Sequence, residues 1–154
     1  MTIRPASRGD IASLTDLMFN YIVGFYRQED QERSAIEKHI EYILEHPREG
    51  VQFVIEENAE LLGFATLYYS YSTLRLQRIA ILNDLFLSQQ ARGQGLGEAL
   101  FKHCLEFARD QDVAFLQWET TKDNVVARSL YDKMGGDVSD LIVYEIRFSG
   151  RPPQ

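Results

Sequence analysis

The sequence predicts a mixed α/β fold, a single sheet with helices on both faces. Residues 79–119 alternate as strand, helix and strand, and the two strands of such a βαβ unit run parallel. Residues 51–71 instead indicate two strands joined by a tight turn, which is typical of an antiparallel hairpin. Parallel and antiparallel pairs together predict a mixed sheet.

The first half of the chain begins with a short strand predicted over residues 2–6. A first helix is predicted over 10–25, behind Asp10 as a candidate N-cap. Its apolar residues recur at helical spacing, and they are Ile11, Leu14, Leu17, Met18, Tyr21, Ile22 and Phe25. A second amphipathic helix follows the charged stretch 28–33 and ends before Pro47. The apolar side of this second helix carries Ile36, Ile40, Ile43 and Leu44.

The hairpin and the elements after it complete the predicted fold. The hairpin strands cover 51–56 and 61–71, with the turn at 58–60. The elements that follow are a strand over 79–87, a helix over 95–109, a strand over 114–119, a helix over 124–134 and a strand over 141–148. The last strand has apolar residues on both faces, which predicts burial on both sides. We therefore expect one domain over 1–148 and a loose tail over 149–154.

The composition suits one globular domain. With 45% hydrophobic and 12% aromatic residues, the 154-residue chain has enough apolar side chains for a sizeable core. No apolar run is long enough to cross a membrane, and residues 1–5 lack the apolar stretch of a signal peptide. We therefore expect a cytoplasmic protein.

The charge balance restricts the partners. The chain has 23 acidic and 16 basic residues, which gives a net charge of −7. Such a charge repels nucleic-acid phosphates and anionic membrane surfaces, whereas it attracts small cations. Nucleic acid and membranes are therefore not expected as partners, and cationic small molecules are favoured.

The cysteine and histidine content indicates no metal site. Cys104 is the only cysteine, so an intramolecular disulfide is impossible. It belongs to the apolar set of the helix predicted over 95–109, which indicates a core position rather than a nucleophile. His39, His46 and His103 show no ligand spacing, and we expect them on the surface.

The segment 84–100 passes from an apolar strand through three alternating glycines into an amphipathic helix. A helix N-terminus carries unpaired backbone N–H groups and about half a positive charge, and alternate glycines let a phosphate approach the backbone. The segment lacks the Gly-Lys-Ser/Thr of nucleotide-hydrolysing loops, and its Gly-x-Gly-x-Gly pattern differs from the dinucleotide fingerprint. It therefore predicts a phosphorylated cofactor at residues 92–97.

Two motifs together resemble the GNAT N-acetyltransferases. The first is Arg92-x-x-Gly95-x-Gly97, which is similar to the acetyl-CoA pyrophosphate loop of that family. The second starts 27 residues after Gly97 and runs from Asn124 to Tyr131, similar to the family's Asn-x-x-Ala-x-x-Leu-Tyr helix. The resemblance implies the GNAT fold, in which two parallel strands splay apart around the pantetheine arm. It also implies acetyl-CoA as cosubstrate and catalysis of N-acetyl transfer, with no metal.

The resemblance assigns three groups of residues to acetyl-CoA. The backbone of Leu85, Phe86 and Leu87 is expected beside the pantetheine. Backbone N–H groups of the glycine loop are expected on the pyrophosphate, from Arg92, Gly93, Gln94, Gly95, Leu96 and Gly97. Asn124, Ala127 and Tyr131 complete the expected contacts, and Asn124 is also a candidate helix cap.

Acetyl transfer to an amine requires a proton acceptor and a proton donor. An alkyl ammonium has a pKa of about 10.4, so its deprotonation at pH 7 costs roughly 4 to 5 kcal/mol, and the departing thiolate gains from protonation. The resemblance assigns the acid role to Tyr131, which the helical pattern alone would place in the core. Asp84 and Glu119 are the candidate bases, and a chain of water molecules to solvent is the alternative to both.

The strand before the glycine loop bears on the acceptor. The run 81–87 resembles the spermidine/spermine acetyltransferase branch, where two adjacent acids precede the same apolar triplet. Asn83 replaces the first acid here, and Asp84 retains the second. Hpa-type histone and polyamine acetyltransferases show a similar Leu-Asn-Asp-Leu run. The resemblance thus implies a small cationic amine, such as a polyamine, as acceptor.

The junction between the first two helices carries three acids, Glu29, Asp30 and Glu32, in the segment that walls the acceptor site in GNAT enzymes. Three tyrosines of the hairpin, Tyr68, Tyr69 and Tyr71, could add an aromatic side to that site. A solvated loop explains the acids equally well.

Other functions stay open on the sequence alone. The acceptor could be a protein lysine or N-terminus, and the chain could be a regulatory module that binds acetyl-CoA without catalysis. A homodimer is expected, because many members of the family dimerise and the strand predicted over 141–148 is apolar on both faces.

Overall fold

A computed structural model describes residues 1–28 and 30–148 of the chain. Glu29 and the tail 149–154, which both entered the predictions above, lie outside the described residues. The chain divides into two compact units, Met1–Glu119 and Thr120 onward. The prediction of one domain over 1–148 stays a prediction.

The first unit is built on a five-stranded sheet, and its strands stand in sequence order. They are β1 (Thr2–Pro5), β2 (Gly50–Glu57), β3 (Glu60–Ser72), β4 (Gln77–Leu87) and β5 (Leu116–Trp118). The pairs β1–β2, β2–β3 and β3–β4 are antiparallel, and β4–β5 is parallel. The predicted mixed sheet with one parallel pair is confirmed.

The described part of the chain contains four α-helices, three in the first unit and one in the second. They are α1 (Ile11–Phe19), α2 (Arg33–Glu45), α3 (Leu96–Asp110) and, in the second unit, α4 (Val125–Lys133). Apart from the first helix and the last predicted strand, each predicted end lies within two residues of the observed one. None of the described helices is long and apolar enough to span a lipid bilayer.

Both faces of the sheet are covered by helices. On one face, α1 and α2 pack against β2, β3 and β4 through buried residues that include Leu14, Leu17, Ile36, Ile40, Val54, Phe64 and Phe86. On the other face, α3 presents Phe107 and His103 to Phe53, each with ring centroids 4.9 Å apart. Cys104 on α3 is fully buried, and burial raises the pKa of its thiol to about 12, which confirms the core position. His39 is exposed as predicted, whereas His103 is half-buried against Phe53 and His46 is half-buried just after α2, so the surface prediction was wrong for these two.

The first helix differs from its prediction at both ends. A short 3-10 turn over Arg8–Asp10 precedes α1, and the α-helix ends at Phe19, where a π-helical segment over Asn20–Phe25 takes over. The prediction of one α-helix over 10–25 was therefore wrong. The apolar spacing of this region is compatible with either helix type, and ring packing described below favours the wider turn.

Asp10 stands at the start of α1 but does not cap the helix with its side chain. Its carboxylate accepts hydrogen bonds from Nη1 and Nη2 of Arg4, at 2.7 and 2.9 Å, and from the backbone N–H of Ser7 at 2.7 Å. The bonds from Arg4, followed by those from Ser7, lower the pKa of Asp10 to about 2, although partial burial opposes the shift. Asp10 thus ties β1 to the beginning of the first helix.

The strand predicted over 141–148 is absent from the described residues, which contain no regular structure after α4. Its apolar side chains are 73% to 100% exposed, so the predicted burial on both sides was also wrong. A strand is held by hydrogen bonds to a neighbouring strand, and high β-propensity cannot replace a missing neighbour. Hydrogen bonds within the described segment are local, such as Leu141 N–H to Ser139 Oγ at 3.1 Å and Arg147 Nη2 to Glu145 Oε1 at 2.9 Å.

Candidate active site

The glycine loop connects β4 to α3 in the first unit. A 3-10 turn over Gln89–Ala91 leads into Gly93 and Gly95, whose φ angles of +76° and +77° are left-handed. A Cβ at either position would meet nothing within 4 Å, so the glycines are required by conformation rather than by space. Gly95 occupies the N-cap position of α3. This conformation exposes the loop backbone just ahead of the helix.

The start of α3 provides donors for an anion. The first N–H groups of any α-helix lack an acceptor within the helix, and the helix dipole adds partial positive charge at this end. Residues 92–95 are exposed, so the loop and the first turn of α3 are open to a ligand from solvent. The arrangement fits the binding of a phosphate or pyrophosphate group.

Arg92 is held by the protein itself. Its Nε donates to the carbonyl of Leu87 at 3.2 Å, and its guanidinium carbon lies 5.6 Å from the ring centroid of Phe86 and 6.0 Å from that of Phe25. Gln94 is similarly tied back, because its Nε2 donates to the carbonyl of Gln90 at 2.9 Å. These side chains brace the loop, and the backbone N–H groups remain its main donors to a ligand.

The end of β4 carries an open backbone edge. The parallel pairing with β5 covers only Ala80 to Leu82, whereas β4 continues to Leu87. In the described residues, no strand pairs with residues 85–87 on the side away from β3. On the β3 side the approach is close, since a Cβ at Gly63 would lie 2.6 Å from the carbonyl oxygen of Phe86. This edge therefore leaves room for an extended ligand beside the last residues of β4, although the Leu87 carbonyl already accepts from Nε of Arg92.

A β-bulge lies directly before this edge. Thr66 of β3 pairs with Asp84 and Leu67 pairs with Leu82, so Asn83 is an extra residue in β4. The amide Nδ2 of Asn83 donates to Oδ1 of Asp84 at 3.2 Å. A carboxylate at position 83 could not donate this bond. The bulge thus presents Asp84 from a sheet position with an amide donor beside it.

Aromatic side chains surround Asp84. Tyr21 interacts with the Asp84 carboxylate and with Tyr26, and burial followed by the Asp84 charge raises the pKa of Tyr21 far above its usual range. Burial and the same charge raise the pKa of Tyr68 to about 12. Both phenols therefore stay protonated around a carboxylate. We name this set, Tyr21, Tyr26, Tyr68 and Asp84, the tyrosine–aspartate cluster.

The π-helical segment brings the aromatic rings to this cluster. The backbone N–H of Tyr26 donates to the carbonyl of Tyr21 at 3.0 Å, five residues earlier. This wider turn puts Tyr21, Phe25 and Tyr26 on one face, where an α-helix would align Tyr21 with Phe25 alone. The ring centroid of Tyr21 lies 4.9 Å from that of Tyr26 and 5.3 Å from that of Phe86.

Sequence reasoning missed three members of this neighbourhood. Tyr21 and Phe25 were included only in the apolar set of the first helix, and Tyr26 was not considered. His39, which was expected only as a surface residue, has its Nε2 2.8 Å from Oη of Tyr68. The run of aromatic residues just ahead of the acidic helix junction was the signal available in the sequence.

The other candidates of the first unit lie elsewhere. Glu119 follows β5 directly and is exposed. Of the three hairpin tyrosines, Tyr68 lies within the influence of the Asp84 charge, the ring centroid of Tyr69 lies 4.2 Å from the Arg78 guanidinium carbon, and Tyr71 is 78% exposed. This follows from the alternation of side chains along a strand. Asp30 and Glu32 are exposed at the helix junction.

The second unit holds the remaining predicted residues on α4. Asn124 caps this helix, because its Oδ1 accepts from the backbone N–H of Ala127 at 3.2 Å. Ala127 and Tyr131 are half-buried and share one helix face with Leu130, at spacings of three and four residues. After α4, Gly135 adopts a left-handed φ of +87° and ends the helix.

Comparison with known proteins identifies the family. The model of the acetyltransferase (GNAT) family matches residues 15–136. YhfO of Bacillus subtilis, an uncharacterized N-acetyltransferase, is 38% identical over 135 residues, which are 88% of this chain and 89% of YhfO. A thialysine N-epsilon-acetyltransferase of Caenorhabditis elegans is 37% identical over 82 residues, which are 53% of this chain and 49% of that protein. The crystal structure of a probable acetyltransferase superimposes with a TM-score of 0.85 at 28% identity, over 98% of this chain and 100% of that one.

Fold, glycine loop and family match agree. The sheet has the mixed order expected of this family, and the match spans both the glycine loop and the helix that carries Tyr131. GNAT enzymes use acetyl-CoA as the acetyl donor. The chain belongs to the GNAT family and is an N-acetyltransferase.

Proposed function

We propose that this enzyme transfers the acetyl group of acetyl-CoA to the primary amine of a small cationic acceptor, such as a polyamine, by direct attack in a ternary complex. The observation that carries the proposal is Asp84, a half-buried carboxylate among protonated tyrosine hydroxyls. Such a site offers an ammonium group one negative charge and several oxygen acceptors. Aromatic rings beside the carboxylate add favourable contacts to a cation.

The cofactor would bind along β4 and the glycine loop. The open edge at Leu85, Phe86 and Leu87 would pair with the pantetheine amides, and the N–H groups of 92–97 would hold the pyrophosphate. The resemblance adds Asn124, Ala127 and Tyr131 to the cofactor contacts. Asn124 serves as a helix cap through its Oδ1, which leaves its amide nitrogen to donate.

The reaction needs a proton acceptor for the ammonium and a proton donor for the departing thiolate. In this proposal, Asp84 binds and orients the ammonium, and Asp84, Glu119 and ordered water are the proton acceptors that the sequence offers. Tyr131 protonates the departing thiolate of CoA, as the resemblance implies. The acetyl group supplies the electrophilic carbonyl, and a backbone N–H near the β4 bulge would stabilise its oxygen as negative charge develops.

Two further features favour a cationic acceptor. The net charge of −7 attracts cations to the protein. The thialysine acetyltransferase of Caenorhabditis elegans is named for acting on an N-epsilon amine, which is a primary amine on a flexible chain. Both fit the branch of polyamine and Hpa-type enzymes that the run 81–87 resembles.

The experiment is an acceptor panel. Release of free thiol from acetyl-CoA would be followed with spermidine, putrescine, amino acids, aminoglycosides and basic peptides, with calorimetric acetyl-CoA binding alongside. We expect turnover with polyamines to exceed turnover with peptides. Preferred turnover of a peptide would instead identify a protein acetyltransferase, and tight acetyl-CoA binding without any turnover would favour a regulatory module.

A variant at the carboxylate tests the acceptor class. We expect Asp84→Asn to lower kcat/KM about 100-fold for a cationic amine, because both the charge and a candidate base are removed, and to lower it far less for a neutral acceptor. Glu119→Gln, at the exposed end of β5, measures the rival candidate base in the same assay. An equal loss for cationic and neutral acceptors would remove the charge-recognition role of Asp84.

A further inference from the structure

A hydrogen-bonded pair leads from the tyrosine–aspartate cluster to solvent. Oη of Tyr68, on β3, lies 2.8 Å from Nε2 of His39, on α2. The two ring centroids are 6.2 Å apart and the rings are inclined by 67°, so the contact is made edge to face. Tyr68 is half-buried, whereas His39 is exposed. Since the charge of Asp84 acts on Tyr68, the three side chains run from a half-buried carboxylate to an exposed imidazole.

The established chemistry creates a proton that must leave. An alkyl ammonium becomes a nucleophile only after it loses a proton, and that proton must reach solvent in every turnover. Tyr68 is a poor base by itself, because burial and the Asp84 charge raise its pKa to about 12 and keep its hydroxyl protonated. A protonated hydroxyl can nevertheless accept one proton while it passes its own to a neighbour.

We propose that Tyr68 and His39 form the exit path for the proton of the acceptor ammonium. The ammonium, held by Asp84, gives one proton to Oη of Tyr68, and Tyr68 gives its hydroxyl proton to Nε2 of His39. One N–H bond and one O–H bond break, one O–H bond and one N–H bond form, and the electron pair stays on the amine nitrogen. The products are a neutral amine beside the acetyl group and a protonated imidazole. This proposal rests on the proposed function.

His39 is placed to return its proton to water. It lines an open cavity of about 460 Å³ together with Tyr42, Arg48, Glu49 and Arg78. The Glu49 carboxylate accepts a hydrogen bond from Oη of Tyr42 at 2.6 Å, and the Arg78 guanidinium lies 4.2 Å from the ring centroid of Tyr69. Among the described residues, the hydrogen-bond partner of His39 Nε2 is Tyr68, and neither Glu49 nor Arg78 bonds to the imidazole. Histidine exchanges protons rapidly near neutral pH, so the imidazole regenerates between turnovers.

The test compares two small amines in His39→Gln and Tyr68→Phe. The probes are ethylamine, which is protonated at pH 7, and 2,2,2-trifluoroethylamine, which is largely neutral there. For each variant, kcat/KM is divided by the wild-type value for the same amine. We expect a loss of at least 10-fold with ethylamine and less than 2-fold with the fluorinated amine, which has no proton to export. Equal losses with both amines would overturn the relay.

The pH dependence and a rescue give independent readouts. The deficit of His39→Gln with ethylamine should shrink as pH rises toward the pKa of the amine, because solvent then supplies the free base. Added imidazole should restore turnover of His39→Ala, which opens space at the position of the ring. A deficit that stays constant with pH and resists imidazole would mark a structural role and refute the relay.

His46→Gln is the matched control. His46 is a half-buried histidine just after α2; its ring stacks on Tyr42 with centroids 3.9 Å apart, and its Nδ1 lies 2.7 Å from the carbonyl oxygen of Tyr42. We expect His46→Gln to have the wild-type kcat/KM with both amines. All variants should keep the thermal midpoint and the KM for acetyl-CoA of the wild type. A wild type that acetylates no amine would overturn the proposed function first, and the relay with it, whereas an active wild type with unselective variants would overturn the relay alone.

Discussion

At the scale of single residues, the site depends on what surrounds each titratable group. Asp84 has an amide donor from Asn83 and protonated phenols around it, so a cation would complete its hydrogen bonding. Cys104 shows the opposite case, because burial raises the pKa of its thiol to about 12 and makes it inert. The residue type therefore does not decide reactivity by itself.

Tyr131 offers a test of the acid role. We expect Tyr131→Phe to leave the affinity for acetyl-CoA within about 2-fold while kcat falls about 100-fold, because only the proton donor is lost. Calorimetry and steady-state kinetics measure the two quantities. Full turnover of the phenylalanine variant at every pH would show that another group, or water, protonates the thiolate.

Asp10 should make stability depend on pH. Its folded-state pKa is lowered to about 2 from the usual 3.8, so the stabilisation is complete above about pH 4 and is lost as pH falls toward 2. We expect Asp10→Asn to lower the free energy of unfolding by about 2 kcal/mol at pH 7 and by much less at pH 2. Denaturant unfolding at both pH values measures the difference, and a constant difference would contradict the assignment to the Arg4 pair.

At the scale of elements, two irregularities shape the site. The π-helical segment aligns three aromatic rings, and the bulge in β4 makes Asn83 an extra residue next to Asp84. Both change where side chains point relative to a regular helix or strand. The regular elements around them provide the rigid support.

The glycine loop allows a comparison of two glycines. Gly95 is left-handed, so Gly95→Ala should cost about 1 to 2 kcal/mol of backbone strain and distort the start of α3, lowering acetyl-CoA affinity. Gly97 has no left-handed φ, and a Cβ there would lie 3.6 Å from Cδ1 of Leu87, an ordinary contact. We expect Gly97→Ala to keep the thermal midpoint of the wild type.

Calorimetry with acetyl-CoA separates the two effects. If Gly95→Ala loses both stability and acetyl-CoA binding, Gly95 is needed for the loop conformation. If Gly97→Ala keeps its stability but loses acetyl-CoA binding, Gly97 is needed for the close approach of the cofactor. Unchanged acetyl-CoA binding in Gly95→Ala would contradict the proposed pyrophosphate site at the glycine loop.

At the scale of the whole molecule, the exposed apolar run after α4 is a candidate interaction surface. Six apolar side chains are 73% to 100% exposed, namely Leu141, Ile142, Val143, Tyr144, Ile146 and Phe148. A contiguous apolar stretch of this length on a soluble surface is characteristic of an interaction site. We propose that a second copy of the chain covers it in a homodimer.

Light scattering tests this association. We expect the wild type to have the mass of a dimer and the double variant Ile142→Asp, Ile146→Asp to have that of a monomer, because two buried charges would oppose the interface. Leu74→Asp is the control, since Leu74 is 97% exposed in the turn between β3 and β4. A monomeric wild type at micromolar concentration would refute the homodimer.

Much of the fold could be predicted because its signals are local. The apolar spacing of α2 and α3, the Asn58–Ala59 turn and the glycine motif each depend on a few neighbouring residues. The mixture of antiparallel and parallel pairs followed from a hairpin and a βαβ unit, which constrain pairing strongly. The helix cap at Asn124 was also recognisable from its neighbours.

What failed depended on partners far away in the chain. The run 141–148 has the composition of a buried strand, but strands require a neighbour that composition does not specify. Asp10 was expected to cap a helix, but its carboxylate accepts hydrogen bonds from Arg4 on β1 instead. The change from α-helix to π-helix at Asn20 follows from ring packing onto Phe86, 61 or more residues away along the chain.

The sequence by itself determined the family, the mixed sheet and the glycine loop, because these arise from short-range patterns and backbone preferences. Only the tertiary structure decided which side chains meet at Asp84, since Tyr21, Tyr68 and His39 come from three separate elements. Proximity between such elements is set by the packing of α1 and α2 on the sheet, and no local pattern records it. The surroundings of Asp84, and with them the proposed acceptor site, are therefore set by the fold rather than by any one motif.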